Sequence, residues 1–263
     1  RGDPGAGPGE FPFFEPAQQS DVTKVHGNSS SITLGDFVPE GSQENVRQEL
    51  ALAVPVGSSP GFGDGDHVRF YRLVQGSGQA IDHWQRSYST GGPQVLLAGN
   101  EPTQLAATDF DGNGTVDLLV SAAGDSSLRL FLNNGTPAIP PVEVPLEAFV
   151  ESFSSPQPTA PGQHRFLSLD DINGDGNVDV LLATEHTSLT AERDTSVAFY
   201  LSSGTGELVG PTFTSQARIG NRDAAASMDL GDFNGDSVPD LSIAWNAFTA
   251  GVRNVIVLFG GSR

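Results

Sequence analysis

The chain has 263 residues, room for one large domain or two small ones, and a formal net charge of −19 from 32 acidic against 13 basic residues. That balance excludes a nucleic-acid binder working through phosphate contacts, and the lack of cysteine excludes disulfides, thiolate metal sites and a cysteine nucleophile. No apolar run reaches the roughly 20 residues that span a bilayer, while 32 glycines and 18 prolines beside 37% hydrophobic residues favour short strands with frequent turns, an all-β fold.

Residues 1–16 are half glycine and proline and read as an N-terminal arm without regular structure. The opening Arg1-Gly2-Asp3 spells a cell-adhesion tripeptide, but three-residue matches arise easily by accident. No leader segment is visible, as expected of a processed or excised piece. From residue 17 to residue 263 the chain repeats itself, in units of about 26–92, 93–160, 161–221 and 222–263.

Each unit reads the same way. A short strand such as Gln104 to Thr108 runs into an acidic loop, and a mostly apolar strand leaves it (Leu118 to Ala122, Val180 to Ala183, Leu241 to Ala244). After a variable loop comes a third strand (Leu128 to Leu132, Val197 to Leu201, Val255 to Phe259), then a turn such as Asn133-Asn134-Gly135 or Ser203-Gly204-Thr205-Gly206. An outer strand closes the unit, Ala148 to Phe153 or Thr212 to Arg218. Four antiparallel strands at a fixed period predict a β-propeller of four-stranded blades, four of them recognisable. The last unit lacks its outer strand, and the segment from Phe11 to Val25 has no unit of its own, so it is expected to supply that strand and close the ring.

The acidic loops carry the chemistry. They run Asp109-Phe110-Asp111-Gly112-Asn113-Gly114-Thr115-Val116-Asp117, Asp171-Ile172-Asn173-Gly174-Asp175-Gly176-Asn177-Val178-Asp179 and Asp232-Phe233-Asn234-Gly235-Asp236-Ser237-Val238-Pro239-Asp240. Their first aspartates are 62 and 61 residues apart, and oxygen-bearing side chains stand at positions one, three, five and nine. Oxygen ligands alternating along a glycine-bent loop suit a hard cation such as calcium. Crowded carboxylates would otherwise repel one another, and no basic residue lies inside any loop. Position two is always large and apolar (Phe110, Ile172, Phe233), expected to be pinned in the core beneath the loop. Ser237 replaces the sixth-position glycine and would be strained if that residue takes a positive φ.

A degraded fourth loop precedes these, because Ile32 to Phe37 parallels Met228 to Phe233 and Glu49 to Ala53 parallels Asp117 to Ser121. Its first aspartate, Asp36, lies 73 residues before Asp109, and Val38 stands at position three. Either Asp36, Glu40, Glu44 or Glu49 holds a metal there, or the loop is empty. An EF-hand is rejected, since that loop needs twelve residues, a final glutamate and flanking helices.

These D-x-[DN]-x-[DN]-G-x-x-D loops between short strands resemble the FG-GAP repeats of integrin α-subunit propellers and their bacterial relatives, over about residues 30–263. The resemblance implies about three calcium ions, each in the loop joining the first two strands of a blade. The implied ligands are Asp109, Asp111, Asn113, the Thr115 carbonyl and Asp117; Asp171, Asn173, Asp175, the Asn177 carbonyl and Asp179; and Asp232, Asn234, Asp236, the Val238 carbonyl and Asp240. Integrin propellers have seven blades, so four here imply either a closed smaller ring or part of a larger assembly; the N-terminal strand favours the closed ring. A protein or glycan partner is expected on the face opposite the calcium loops, near Phe62, His67, His186 and Phe248.

No catalytic or organic-cofactor residues are expected. Gly57-Ser58-Ser59-Pro60-Gly61 matches a nucleophile elbow in letters only, since nothing after it can form the required helix. The five histidines have no metal spacing, and the sequon at Asn113 falls on a candidate ligand. The chain is therefore expected to be an extracellular or cell-surface, non-catalytic binding or adhesion module. A lectin propeller and an accessory domain of a secreted hydrolase are the alternatives, the first weakened by a supply of only two tryptophans and three tyrosines.

Overall fold

The computed structural model describes residues 30–37, 49–55, 67–74, 83–87, 96–97, 101–124, 127–135, 149–154, 163–187, 193–217, 225–245 and 255–260. Among these residues there is no helix, and the strands form four antiparallel sheets. The first holds β1 (Ser31–Gly35), β2 (Glu49–Val54), β3 (His67–Val74), β4 (His83–Ser87) and β5 (Leu96–Leu97). The second holds β6 (Pro102–Thr108), β7 (Asp117–Ala122), β8 (Ser127–Asn133) and β9 (Phe149–Ser154). The third is β10 (Gln163–Asp170), β11 (Asp179–Thr187), β12 (Arg193–Ser202) and β13 (Leu208–Ala217), and the fourth β14 (Ala225–Gly231), β15 (Asp240–Trp245) and β16 (Val255–Leu258).

Every sheet begins with a hairpin in the same register. The closing pairs are Gly35 with Glu49, Thr108 with Asp117, Asp170 with Asp179 and Gly231 with Asp240. Each acidic loop therefore starts one residue beyond the first strand, and its ninth residue opens the second. The degraded loop obeys the same register despite its five extra residues.

The sheets stack face to face in chain order, with β1 beside β6, β6 beside β10 and β10 beside β14. This explains why second strands are apolar without alternation: β7 is buried on both faces, Leu118 and Val120 toward the first sheet and Leu119 toward the third, while in β2, also buried throughout, Ala51 and Ala53 face the second sheet and Leu50, Leu52 and Val54 pack with Tyr71 of their own sheet. Ala51, Ala53, Val68 and Phe70 meet Leu118, Val120 and Phe131 between the first two sheets, where Phe37, Phe70 and Phe149 form an aromatic cluster. Leu119, Leu128 and Leu130 meet Val180, Leu182 and Tyr200 at the next layer, and Leu181 and Val197 meet Leu241 and Ile243 at the last. Burying a side chain of this size stabilises by roughly 1.5–3 kcal/mol, so the layers hold the hairpins and the hairpins hold the loops.

The structure differs from expectation in four places. The first sheet has five strands, because β4 and β5 pair with different halves of β3. The ladder between β11 and β12 continues through Glu185 with Thr195 and His186 with Asp194, so His186 lies in a strand and not in an open loop. His67 is buried at the start of β3, paired with Val54, and is no surface candidate. Phe110 is buried and Ile172 packs against the third layer, but Phe233 is 52% exposed: nothing among the described residues lies over the outer side of the fourth sheet. Among the described residues that sheet has the three strands expected of the last unit's own chain, and the segment 11–25 expected to complete it lies outside the described residues, as do the arm 1–16, Gly57 to Gly61, Phe62 and Phe248.

Candidate metal centre

Loop 109–117 is a nest of carboxylates accepting backbone amides. Asp109 Oδ1 accepts the Gly112 and Asn113 N–H at 2.8 and 3.1 Å, and its Oδ2 accepts that of Gly114 at 2.8 Å. Asp111 Oδ1 accepts the Asn113 N–H at 3.0 Å, and Asn113 Oδ1 accepts that of Thr115 at 2.7 Å. These bonds curl the chain so tightly that Gly112 and Gly114 take φ of 72° and 86°.

The first and fifth positions of the other two loops repeat this pattern. Asp171 accepts the N–H of Gly174, Asp175 and Gly176, and Asp232 accepts those of Gly235, Asp236 and Ser237. Asp175 accepts from Asn177 and Asp236 from Val238, each at 2.8 Å. The third-position Asn173 and Asn234 donate through Nδ2 to Asp175 and Asp236. Ser237 does take a positive φ of 65°, as the glycines in its place do. The carbonyls of Thr115, Asn177 and Val238 follow directly on these left-handed residues.

The ninth position does something different. Asp117, Asp179 and Asp240 are fully buried. One oxygen of each accepts the N–H of the loop's second residue: Phe110 at 2.7 Å, Ile172 at 3.0 Å and Phe233 at 2.9 Å. The other accepts an amide at the end of the third strand or just beyond it, from Asn133, Ser202 and Gly260, each at 2.8 Å. The degraded loop keeps the first of these bonds, the buried Glu49 accepting the Phe37 N–H at 2.9 Å.

Among the described residues, Asp109, Asp111 and Asp117 form the group whose carboxylate oxygens lie within 4.8 Å of one another. Burial pushes the Asp117 carboxyl up to about 6, with the Asp111 and Asp109 charges adding to the rise and the Asn133 and Phe110 amides opposing it. Burial likewise raises Asp179, against the amides of Ser202, Ile172 and Asn173. Exposed Asp175 and Asp232 are held below the ordinary carboxylate range, chiefly by the Asn177 and Ser237 amides respectively. A donor set of oxygens alone, with three carboxylates in reach of one point and one penalised for its charge, fits a hard divalent cation.

The sequence did not single out Asn133, Ser202 or Gly260, whose amides complete each centre. The pointer available was the turn at Asn133-Asn134-Gly135, which marks where the third strand returns to the loop. Asn133 does most: its carbonyl accepts Asn113 Nδ2 at 2.9 Å and Thr115 Oγ1 at 2.6 Å.

Layered antiparallel sheets, three of the four with an aspartate-rich loop at the first hairpin, define the class to which this protein is assigned: a repeated all-β protein. Residues 171–243 match the family described as an FG-GAP-like repeat, and this stretch is such a repeat. No curated protein gives a match to the chain.

Proposed function

We propose that the three loops bind calcium and that the chain is an integrin-like β-propeller, serving outside the cell or on its surface as a non-catalytic binding or adhesion module. The observation that carries this is the convergence of Asp109, Asp111 and Asp117 within 4.8 Å on an oxygen-only loop. Asp109, Asp111, Asn113, the Thr115 carbonyl and Asp117 would hold the ion in the first loop, and their counterparts from 171 to 179 and 232 to 240 in the others. Bound calcium supplies positive charge that cancels carboxylate repulsion and fixes the hairpin bend, linking metal uptake to folding. No step of bond-making is assigned to these residues. The ligand is a protein or glycan on the opposite face.

Closure of the ring belongs to the same proposal. The three-stranded fourth sheet and the exposed Phe233 are what a ring lacking its last strand would leave, and residues 11–25 are the segment assigned to that place. Calorimetric titration of chelator-treated protein should give about three calcium equivalents and a higher melting temperature. Deleting residues 1–25 should lower that temperature sharply. No heat of binding and no change in melting would overturn the calcium reading, and an unchanged melting curve after deletion would overturn closure.

A further inference from the structure

Asn133 is fully buried at the end of β8, and all its polar atoms are engaged. Its N–H and carbonyl serve the loop 109–117, through Asp117, Asn113 and Thr115. Its side-chain amide bridges that loop and the first sheet. Nδ2 donates to the Phe37 carbonyl at 2.9 Å and the Val116 carbonyl at 3.2 Å, while Oδ1 accepts the Gly135 N–H at 3.2 Å. One residue thus touches the acidic loop of the second sheet and the loop start of the first, 96 positions earlier.

The equivalent residues do not do this. Ser202 uses its hydroxyl locally to accept the Gly204 N–H, and Gly260 has no side chain. Between the second and third sheets the corresponding contact is a longer backbone bond, Gly206 N–H to the Phe110 carbonyl at 3.3 Å. Leaving a buried primary amide without its acceptors is strongly unfavourable, so the position of Asn133 is tied to both loops.

We infer that Asn133 is a positioning residue that couples cation binding in loop 109–117 to the stability of the β1–β2 hairpin. The inference rests on the calcium reading above. An ion that draws Asp117, Asn113 and Thr115 into one geometry fixes the main chain of Asn133, and its side chain then fixes Phe37, the buried ring at the centre of the first layer. Coupling of this kind between two sites typically amounts to ~5–150-fold.

Hydrogen exchange of the full chain with and without saturating calcium tests it, read separately over 101–124 and over 31–37 with 49–54. In the unmodified protein calcium should slow exchange in both regions, by at least ~5-fold in the hairpin. Asp111→Lys, which puts a positive charge where the cation would sit and whose parent side chain touches nothing among the described residues of that hairpin, should abolish both responses. Asn133→Ser, the residue of the third sheet, should keep the response over 101–124, at higher calcium concentrations, and lose that of the hairpin. A hairpin response that survives either substitution overturns the coupling, as does a loop response in the unmodified protein with none in the hairpin. No response in either region overturns the calcium reading itself, and the coupling with it. The unmodified protein and Asp111→Lys decide the matter even if Asn133→Ser does not fold.

Discussion

Ser237 has the φ of a glycine without being one. At Gly114 and Gly176, which hold the same place, an added Cβ would meet no atom within 4 Å, so the cost of a side chain there is torsional and not steric. Placing an ordinary residue in the left-handed region costs roughly 1 kcal/mol. Ser237→Gly should therefore stabilise by about 0.5–1 kcal/mol and Gly176→Ser destabilise by a similar amount, as read by urea unfolding; equal midpoints would show the loop relaxing freely. The ionisation of Asp117 gives a second outcome. Its carboxyl titrates at about 6 in the fold and near ~3.9 in an unfolded chain. Between these values the folded state keeps a proton that the unfolded state has lost, so metal-free stability falls as pH rises from about 4 to about 6. Asp179, also raised by burial, acts in the same direction. Calcium competes with that proton, so the rise in melting temperature it causes should grow across this window; a rise independent of pH would count against ligation by Asp117.

At the level of the hairpin, two kinds of aspartate share one loop. Asp111 lies at the loop surface and accepts only from Asn113, whereas Asp117 is buried and joins Phe110 to Asn133. Asp117→Asn turns an amino group toward a backbone N–H and should cost about 1–3 kcal/mol even in chelator. Asp111→Asn should cost less than ~0.5 kcal/mol in chelator and act through calcium affinity alone. Similar losses for both would mean that the ninth position is no pin. The hairpins were legible in the sequence because loop chemistry is local: glycine, asparagine and aspartate at fixed offsets dictate the bend and the register together. The parallel between Glu49 and Asp117 was legible for the same reason. The partners of the ninth carboxylate were not, because Asn133 reaches Asp117 from 16 residues away and Ser202 reaches Asp179 from 23, by way of a variable loop. The burial of His67 and the strand position of His186 were missed because the pattern of a loop does not say where a ladder stops.

For the molecule as a whole, what was legible is the count of four sheets; how the last is covered was not, since that depends on chain far away in sequence. Phe37 and Phe110 are buried and Ile172 partly so, all three packed in the layers between sheets, and Phe233 alone is open. If the proposed ring closes over it, Phe233→Ala should cost about 3–5 kcal/mol, as core phenylalanines do. A loss below ~0.5 kcal/mol would leave that face bare in solution. The bond from Asn133 to Phe37 and that from Gly206 to Phe110 both run from one sheet to the one before it. Such nearest-neighbour bracing behaves like a row of coupled units, each supported by the pair beside it. Under mechanical tension from the C-terminal end, the protein should give way sheet by sheet, β14 to β16 first, with β1 to β9 and their aromatic cluster the last to part.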